Sequence, residues 1–204
     1  MSASDPLGHT LLAERLAQIP AILRDMIARG PAPLKPATLA SSRFIVTGTG
    51  SSEAHARYLA TLLNFHTDRA ATYLPLSGFT AIHPESFAGK TLVVFSQGVS
   101  PNAQIALRRR IHFSHTILFT ASSPASARAA GKHDRAAMLQ SLLDEGCELI
   151  EFPLAEEYTT LIRFVGPMAG YLACLQFAAQ FSCSRFRAPS AEELLPLLDA
   201  APPA

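Results

Sequence analysis

Two stretches rich in glycine and hydroxyl side chains are the parts of this chain best suited to chemistry. They are Thr47-Gly48-Thr49-Gly50-Ser51-Ser52 and Ser96-Gln97-Gly98-Val99-Ser100. Each stretch follows an apolar, β-branched run and precedes a helical pattern. A buried strand that enters a helix through such a turn directs backbone N–H groups and the positive helix end towards one point. Each stretch therefore predicts a seat for an anion, most simply a phosphate group.

The candidate ligand-binding residues in these stretches offer a hydroxyl, an amide or a glycine backbone. They are Gly50, Ser51, Ser52, Ser96, Gln97, Gly98 and Ser100. Each serine also has a plainer interpretation, because serine often caps a helix and often bonds only the backbone of its own turn. Ser122 and Ser123 follow a further strand and are more typical of caps, with Pro124 opening the next helix.

The elements that position these stretches alternate between strands and helices. Predicted strands begin at Arg43 and then cover 71–74, 91–96, 115–120 and 148–152. This alternation predicts an α/β fold, a three-layer doubly wound sandwich with a five-stranded parallel sheet. In the strand order 2-1-3-4-5, ligands bind outside the carboxyl ends of strands one and three. Both Gly/Ser stretches end at that place.

The chain of 204 residues has room for one such domain with two flanking segments. We predict an N-terminal helical arm and Pro-rich linker over 1–40, the domain over 41–187, and a C-terminal tail or linker over 188–204. The polar run Glu156–Thr160 is predicted to open a long helix that reaches Phe181. Because that helix is apolar on nearly all sides, we expect it to be buried at a domain or subunit interface, and we expect at least a homodimer.

Composition narrows the class of partner. Seventeen basic and sixteen acidic residues give a net charge of +1, which argues against nucleic-acid or membrane binding and favours a small ligand. The three cysteines have no CxxC spacing, so we expect neither a disulfide framework nor a zinc site, and we expect no metal. The N-terminus lacks a signal-peptide pattern and no apolar run is long enough to span a bilayer. We therefore expect a cytoplasmic protein.

Together these residues resemble the SIS (sugar isomerase) family of phosphosugar-binding domains, which includes the isomerase half of glucosamine-6-phosphate synthase. The resemblance covers about residues 40 to 185 and rests on four pieces in order: 45–52, 93–101, the strand 117–120 with its serines, and Glu156–Thr160. It implies that Ser51 or Ser52 holds the phosphate of a sugar phosphate from one side. Ser96, Gln97 and Ser100 would hold it from the other.

The second turn is one residue shorter than the family pattern Ser-Gln-Ser-Gly-x-Ser/Thr and lacks its middle serine. Backbone N–H groups of Gly98 and Val99 would replace that donor. The synthase uses two such domains, so the resemblance also implies that this chain pairs with a second SIS domain or a second copy of itself.

Catalytic residues are predicted from the same resemblance. Aldose–ketose isomerisation needs a base that moves a proton between adjacent carbons. The family's glutamate at the start of the last long helix corresponds to Glu156 or Glu157 here, although both could be acids that only favour a helix start. His83 lies in a predicted loop that could overhang the crevice and is the third candidate. No cofactor is implied.

The leading hypothesis is a protein that binds a phosphorylated sugar or amino sugar, as a sugar-phosphate isomerase or an aminosugar-processing protein. One alternative is a non-catalytic sensor or regulatory module with the same pocket. Another is a nucleotide-binding α/β domain, but Glu53 occupies the third glycine position of the dinucleotide fingerprint. Asp68, the acid about twenty residues further on, precedes the second strand instead of ending it.

Overall fold

The computed structural model describes residues 9–153, 163–181, 187 and 189–199. The described helices are α1 His9–Arg29, α2 Pro36–Ala40, α3 Ser51–His66, α4 Gly78–Ala81, α5 Pro101–Leu107, α6 Pro124–Ala129, α7 His133–Asp144, α8 Val165–Ala178 and α9 Ala191–Asp199. The described strands are β1 Arg43–Gly48, β2 Ala70–Tyr73, β3 Thr91–Phe95, β4 His115–Thr120 and β5 Glu148–Glu151. Two short 3-10 helices cover Pro84–Phe87 and Arg110–His112.

The strands form one five-stranded parallel sheet in the order β2-β1-β3-β4-β5, which confirms the predicted fold and strand order. Phe44 of β1 lies opposite Ala71 of β2 on one side and Thr91 of β3 on the other. Because every strand runs the same way, all carboxyl ends lie at one edge of the sheet. The first two predicted turns, after β1 and β3, are therefore neighbours.

Alternate side chains of each strand point to opposite faces of the sheet and fill two separate cores. Phe44 and Val93 belong to the core beneath α1, α3 and α8, whereas Ile45 and Leu92 belong to the core beneath α4 to α7. The helix that follows β1 thus lies on the first face, and the helix that follows β3 lies on the second. The chain leaves these neighbouring strands in opposite directions, which opens a crevice between them.

The last long helix begins later than the sequence predicts. Helix α8 starts at Val165, and Arg163 lies outside it. Pro167 stands in its first turn, which explains the start, because proline lacks an N–H group and its ring clashes with a preceding helical turn. The predicted opening of this helix at Glu156–Thr160 lies outside the described residues.

Much of the apolar surface of α8 is covered by other parts of the same chain, although Met168 is 44% exposed. Ala169, Cys174 and Phe177 lie in the first core, where α8 packs against α1 and α3. Helix α1 continues through Pro20 and contributes Leu23 and Met26 to that core. The domain limits and the dimer stay predictions. Among the described helices, none combines the length and the apolar character needed to cross a membrane.

A buried carboxylate at the amino edge of the sheet fastens the segment before β1 to β5. Glu148 is 4% exposed. Its Oε1 accepts the backbone N–H of Lys35 at 2.9 Å, and its Oε2 accepts the hydroxyl of Thr38 and lies 3.2 Å from Nε2 of His115. Burial by itself would raise the pKa of Glu148, but the hydrogen bonds from His115, Thr38 and Lys35 outweigh it and lower that pKa.

Replacing this carboxylate should destabilise the protein. Glu148→Ala leaves the Lys35 N–H and the buried Thr38 hydroxyl without their acceptor, and we expect the free energy of unfolding to fall by about 2–4 kcal/mol at pH 7. Urea unfolding measures this. Glu14→Ala, at an exposed position of α1, is the control and should change stability by less than about 0.5 kcal/mol.

The pH dependence of protein stability provides a second test of the role of Glu148. Since the folded-state pKa of Glu148 is lowered, its ionised form stabilises the fold above the unfolded value of about 4.5, and this stabilisation is lost as pH falls through the folded pKa. Glu148→Gln should therefore lose less stability than the wild type between pH 5 and pH 3. Equal acid sensitivity in the two proteins would contradict the assignment.

Candidate functional site

The first turn connects β1 to α3 through a close backbone approach. A Cβ atom on Gly48 would lie 2.3 Å from the carbonyl oxygen of Ser52, so only glycine fits there. Gly50 occupies the N-cap of α3 with a φ of 61° and makes no side-chain cap bond. The hydroxyls of Ser51 and Ser52 therefore do not cap this helix, and neither has a hydrogen-bond partner within the described residues. The capping interpretation of both serines is not realised.

The backbone donors of this turn are also available. As the first residue of α3, Ser51 has an N–H group that no helical carbonyl can reach. Within the part of the chain that the structure describes, the N–H groups of Gly50 and Ser51 form no backbone hydrogen bond. The positive end of α3, a 16-residue helix, lies directly behind them.

The second turn connects β3 to α5 and is held by its own hydroxyls. Ser96 Oγ accepts the N–H of Ser100 at 3.0 Å, and Ser100 Oγ caps α5 by accepting the N–H of Ala103 at 3.3 Å. Both serines thus have a role in the turn itself. Each hydroxyl retains its proton as a donor, because it acts in these bonds only as an acceptor.

Val99 gives the second turn its shape. Its φ of 50° lies in the left-handed region, which β-branched residues rarely adopt. The side chain is 4% exposed and packs in the second core with Ile45 and Leu92. Such a conformation carries strain of about 1–3 kcal/mol and persists only where the surrounding structure holds it. Packing of the Val99 side chain supplies that restraint.

The two turns enclose one cavity of about 550 Å³ at the carboxyl edge of the sheet. This volume lies within the usual range for small-molecule sites. All the predicted ligand residues line it, together with three that are not predicted from the sequence: Gly50, Ser51, Ser52, Ser96, Gln97, Gly98 and Ser100, with Thr49, Asn102 and Arg163. The predicted convergence of the two stretches is therefore present in the structure, whereas their role in binding stays a prediction.

Many solved structures match this architecture. The C-terminal domain of glucosamine-fructose-6-phosphate aminotransferase from Francisella tularensis matches with a TM-score of 0.62 at 11% identity, over 97% of this chain and 55% of that one. Tagatose-6-phosphate ketose/aldose isomerase from Escherichia coli matches with a TM-score of 0.57 at 14% identity, over 81% of this chain and 46% of that one.

The sugar isomerase domain of an RpiR transcription factor from Sphaerobacter thermophilus matches with a TM-score of 0.51 at 14% identity, over 86% of this chain and 89% of that one. The fold is that of the SIS domain. This chain spans about half the length of the aminotransferase domain and of the isomerase. No protein-family model matches the sequence, and no curated protein matches it.

Arg163 is the cavity residue of this SIS-like fold that is hardest to place from sequence. Its Nη1 donates a hydrogen bond to Oε1 of Gln97, a side chain that is 5% exposed. The sequence does contain a signal, since Arg163 is the one charged residue between Leu161 and Phe181. A lone charge in an apolar run needs a polar environment, and here the cavity provides it.

Of the three predicted catalytic residues, only His83 lies within the described part of the chain. Glu156 and Glu157 lie outside the described residues. His83 precedes the 3-10 helix Pro84–Phe87, its side chain is 73% exposed, and it does not line the cavity. Ser123 caps α6 in a capping box with Ser126, as predicted from the sequence. Among the described residues, no group of three His, Cys, Asp or Glu side chains is arranged to hold a metal ion.

A buried histidine joins the helix of the first turn to α8. His55 of α3 is 1% exposed, and its Nε2–H donates to the carbonyl oxygen of Pro167 at 2.8 Å. Because Nε2 carries the proton, Nδ1 is left bare, and it is buried without a hydrogen-bond partner. Burial lowers the pKa of His55, partly offset by the bond to Pro167. The fold therefore holds His55 in its neutral form.

This histidine should make stability sensitive to mild acid. The unfolded chain binds a proton at His55 below a pH of about 6.5, whereas the folded chain resists it, so the free energy of unfolding should fall as pH decreases through that value. His55→Gln keeps an N–H donor for Pro167 but does not titrate. We expect its stability to fall less than that of the wild type between pH 7.5 and 5.5 in urea unfolding.

The matched control is His133→Gln, because His133 is an exposed histidine at the start of α7. The stability of this variant should change with pH as that of the wild type does. A wild-type stability that stays constant from pH 7.5 to 5.5, or an equal slope for His55→Gln, would show that burial of His55 does not control this transition.

Proposed function

We propose that this protein binds a phosphorylated sugar or amino sugar in the cavity between the two turns, with the phosphate group held by the turns. One observation carries the proposal. Residues from two stretches far apart in sequence, each predicted to bind an anion, line a single cavity at the switch point of the sheet.

The donors around the cavity suit a phosphate. The hydroxyls of Ser51 and Ser52 and the N–H groups of Gly50 and Ser51 lack protein partners among the described residues, and the positive end of α3 lies behind them. Across the cavity, Gly98 presents an N–H group that forms no backbone bond within the same part of the chain. Unpaired donors on two sides of the cavity can bond to several oxygens of one phosphate group.

Aldose–ketose isomerisation is the reaction that we propose for this site. Glu157 or Glu156 would act as the base that moves a proton between adjacent carbons through an enediol. Their sequence position supports this, because the segment that contains them leads directly to Arg163, which lines the cavity. His83, as a partner acid, would have to approach from its exposed position.

A sensor that binds the same ligand without turnover is the second candidate. Within the described residues, the cavity lining contains no carboxylate and no imidazole that could act as an acid or base. The likeness of the fold to the sugar isomerase domain of a transcription factor also supports this candidate.

We also propose that the chain works in the cytoplasm as a homodimer or beside a second SIS domain. Two of the matching structures are about twice as long as the part that this chain covers. A second unit of the same fold would account for that length.

Removing the unpaired hydroxyls should weaken ligand binding without unfolding the protein. We expect Ser51→Ala and Ser52→Ala each to weaken binding of fructose 6-phosphate or glucosamine 6-phosphate about tenfold, because each loses a hydrogen bond to a charged group. Isothermal titration calorimetry measures this. Ser77→Ala, an exposed serine outside the cavity, is the control.

Crystals soaked with either sugar phosphate give the direct test, since phosphate density should lie between the two turns. An absence of density there, together with unchanged affinity in both serine variants, would overturn the proposal. Stabilisation by adenine nucleotides and not by sugar phosphates in a thermal-shift assay would favour a nucleotide-binding domain instead.

The isomerase and the sensor make different predictions for the acidic pair. If Glu157 or Glu156 is the base, Glu157→Gln or Glu156→Gln should lower the turnover of fructose 6-phosphate at least 100-fold while leaving its affinity within about threefold. A coupled assay for the aldose product measures the rate. Wild-type protein that binds the sugar phosphate but never converts it would support the sensor.

A further inference from the structure

We propose that Arg163 is the counter-charge of the bound phosphate and makes the cavity select the dianionic form of a phosphate monoester. This inference rests on the proposed function and specifies the charge of its ligand. Of the described residues that line the cavity, Arg163 alone is charged, and the others are glycine, serine, threonine, asparagine or glutamine.

The partners of Arg163 leave most of its hydrogen-bonding capacity unused. A guanidinium group has five N–H donors in a fixed planar arrangement. In the described part of the chain, Arg163 bonds only to Oε1 of Gln97, and no carboxylate forms an ion pair with it. A half-buried guanidinium at a cavity wall, with no acidic partner among the described residues, is suited to an anion from outside the protein.

Gln97 fixes this arrangement and leaves a second donor unsatisfied. Its Oε1 is occupied by Arg163, so the side-chain amide cannot be reversed without placing its NH2 group against the guanidinium. Nε2 of Gln97 is buried and has no hydrogen-bond partner. A buried donor without an acceptor is unfavourable, and an oxygen of a ligand in the cavity that Gln97 lines would satisfy it.

Neutral donors and a positive charge differ in how strongly they prefer the dianion of a phosphate over its monoanion. Hydroxyl and N–H groups of the two turns bond to the oxygens of either ionisation state of a phosphate. A guanidinium favours the dianion, which carries the larger charge, and it can bind two of its oxygens side by side. Because the second pKa of a phosphate monoester is near 6, the dianion predominates at pH 7.5 and the monoanion at pH 5.

Other ionisable groups near the turns either bond to protein partners or lie outside the cavity lining. Glu53 in the first turn of α3 is paired with Arg57 at 2.8 Å, and His55 on the same helix faces Pro167 of α8. Arg135 of α7 lies against Gly98, with Nη1 3.1 Å from the place of an added Cβ, but it does not line the cavity. Among the described residues, Arg163 is therefore the charge that lines the cavity.

The test compares Arg163→Met, which removes the charge, with Arg163→Lys, which keeps it, by titration calorimetry with fructose 6-phosphate and with inorganic phosphate. For the wild type we expect the affinity for fructose 6-phosphate to rise about tenfold from pH 5 to pH 7.5. We expect Arg163→Met to bind at least tenfold more weakly at pH 7.5 and to change less than threefold over the same range. Arg163→Lys should recover part of both the affinity and the pH dependence.

Arg108→Met removes an exposed arginine outside the cavity and is the charge-matched control, which should behave as the wild type. Far-UV circular dichroism of each variant verifies the fold, and Arg163→Lys carries the test if Arg163→Met does not fold. In that case, an Arg163→Lys variant that binds more weakly than the wild type and keeps part of the pH dependence supports the proposal, and a flat pH profile overturns it.

The role of Arg163 and the binding of a sugar phosphate can be tested separately. Wild-type protein that binds the sugar phosphate, with Ser52→Ala weakened and Arg163→Met unchanged, would overturn the role of Arg163 and leave the proposed function standing. Wild-type protein that binds neither probe would overturn both. An equal loss of affinity at pH 5 and pH 7.5 in Arg163→Met would assign Arg163 a structural role in orienting Gln97.

Discussion

The crossing of helices to opposite faces of a parallel sheet is the constraint on which the rest of this structure depends. Neighbouring strands β1 and β3 end at the same edge, yet α3 packs in the first core and α5 in the second. The two connecting turns must therefore separate as they leave the sheet. Their separation creates the cavity, and the buried apolar strands hold its two walls at a fixed distance.

The two edges of the sheet have different tasks. At the amino edge, the carboxylate of Glu148 accepts hydrogen bonds from Lys35 and Thr38. At the carboxyl edge the turns retain donors that the described protein does not satisfy, including those of Gly50 and Ser51. The donors at the amino edge thus have acceptors within the protein, whereas those at the cavity are available to a ligand.

Much of the fold could be predicted from sequence because its signals are local and repeated. Buried β-branched runs give the strands, glycine and serine punctuation gives the turns, and the alternation with helices gives the parallel order. The cavity residues Ser51 and Ser96 could be predicted for the same reason, since each lies within three residues of the end of a strand whose carboxyl end must lie at the shared edge.

The remaining features depend on contacts between distant segments. Arg163 has no periodic relation to either turn. It precedes α8, which packs against α3, and it donates to Gln97 of the second turn. The capping position of α3 depends on the backbone angles of Gly50, which residue type alone does not determine. His83 lies in a loop, where no regular pattern fixes a side-chain direction, and it is exposed.

The left-handed backbone of Val99 has a consequence for how a ligand would be received. The side chain that imposes this conformation packs in the second core and does not line the cavity. The second wall is therefore preorganised by the folding of the protein, and binding does not have to order it. The domain is correspondingly less stable than it would be with a relaxed turn. At Val99, a rigid binding site is therefore obtained at the expense of stability.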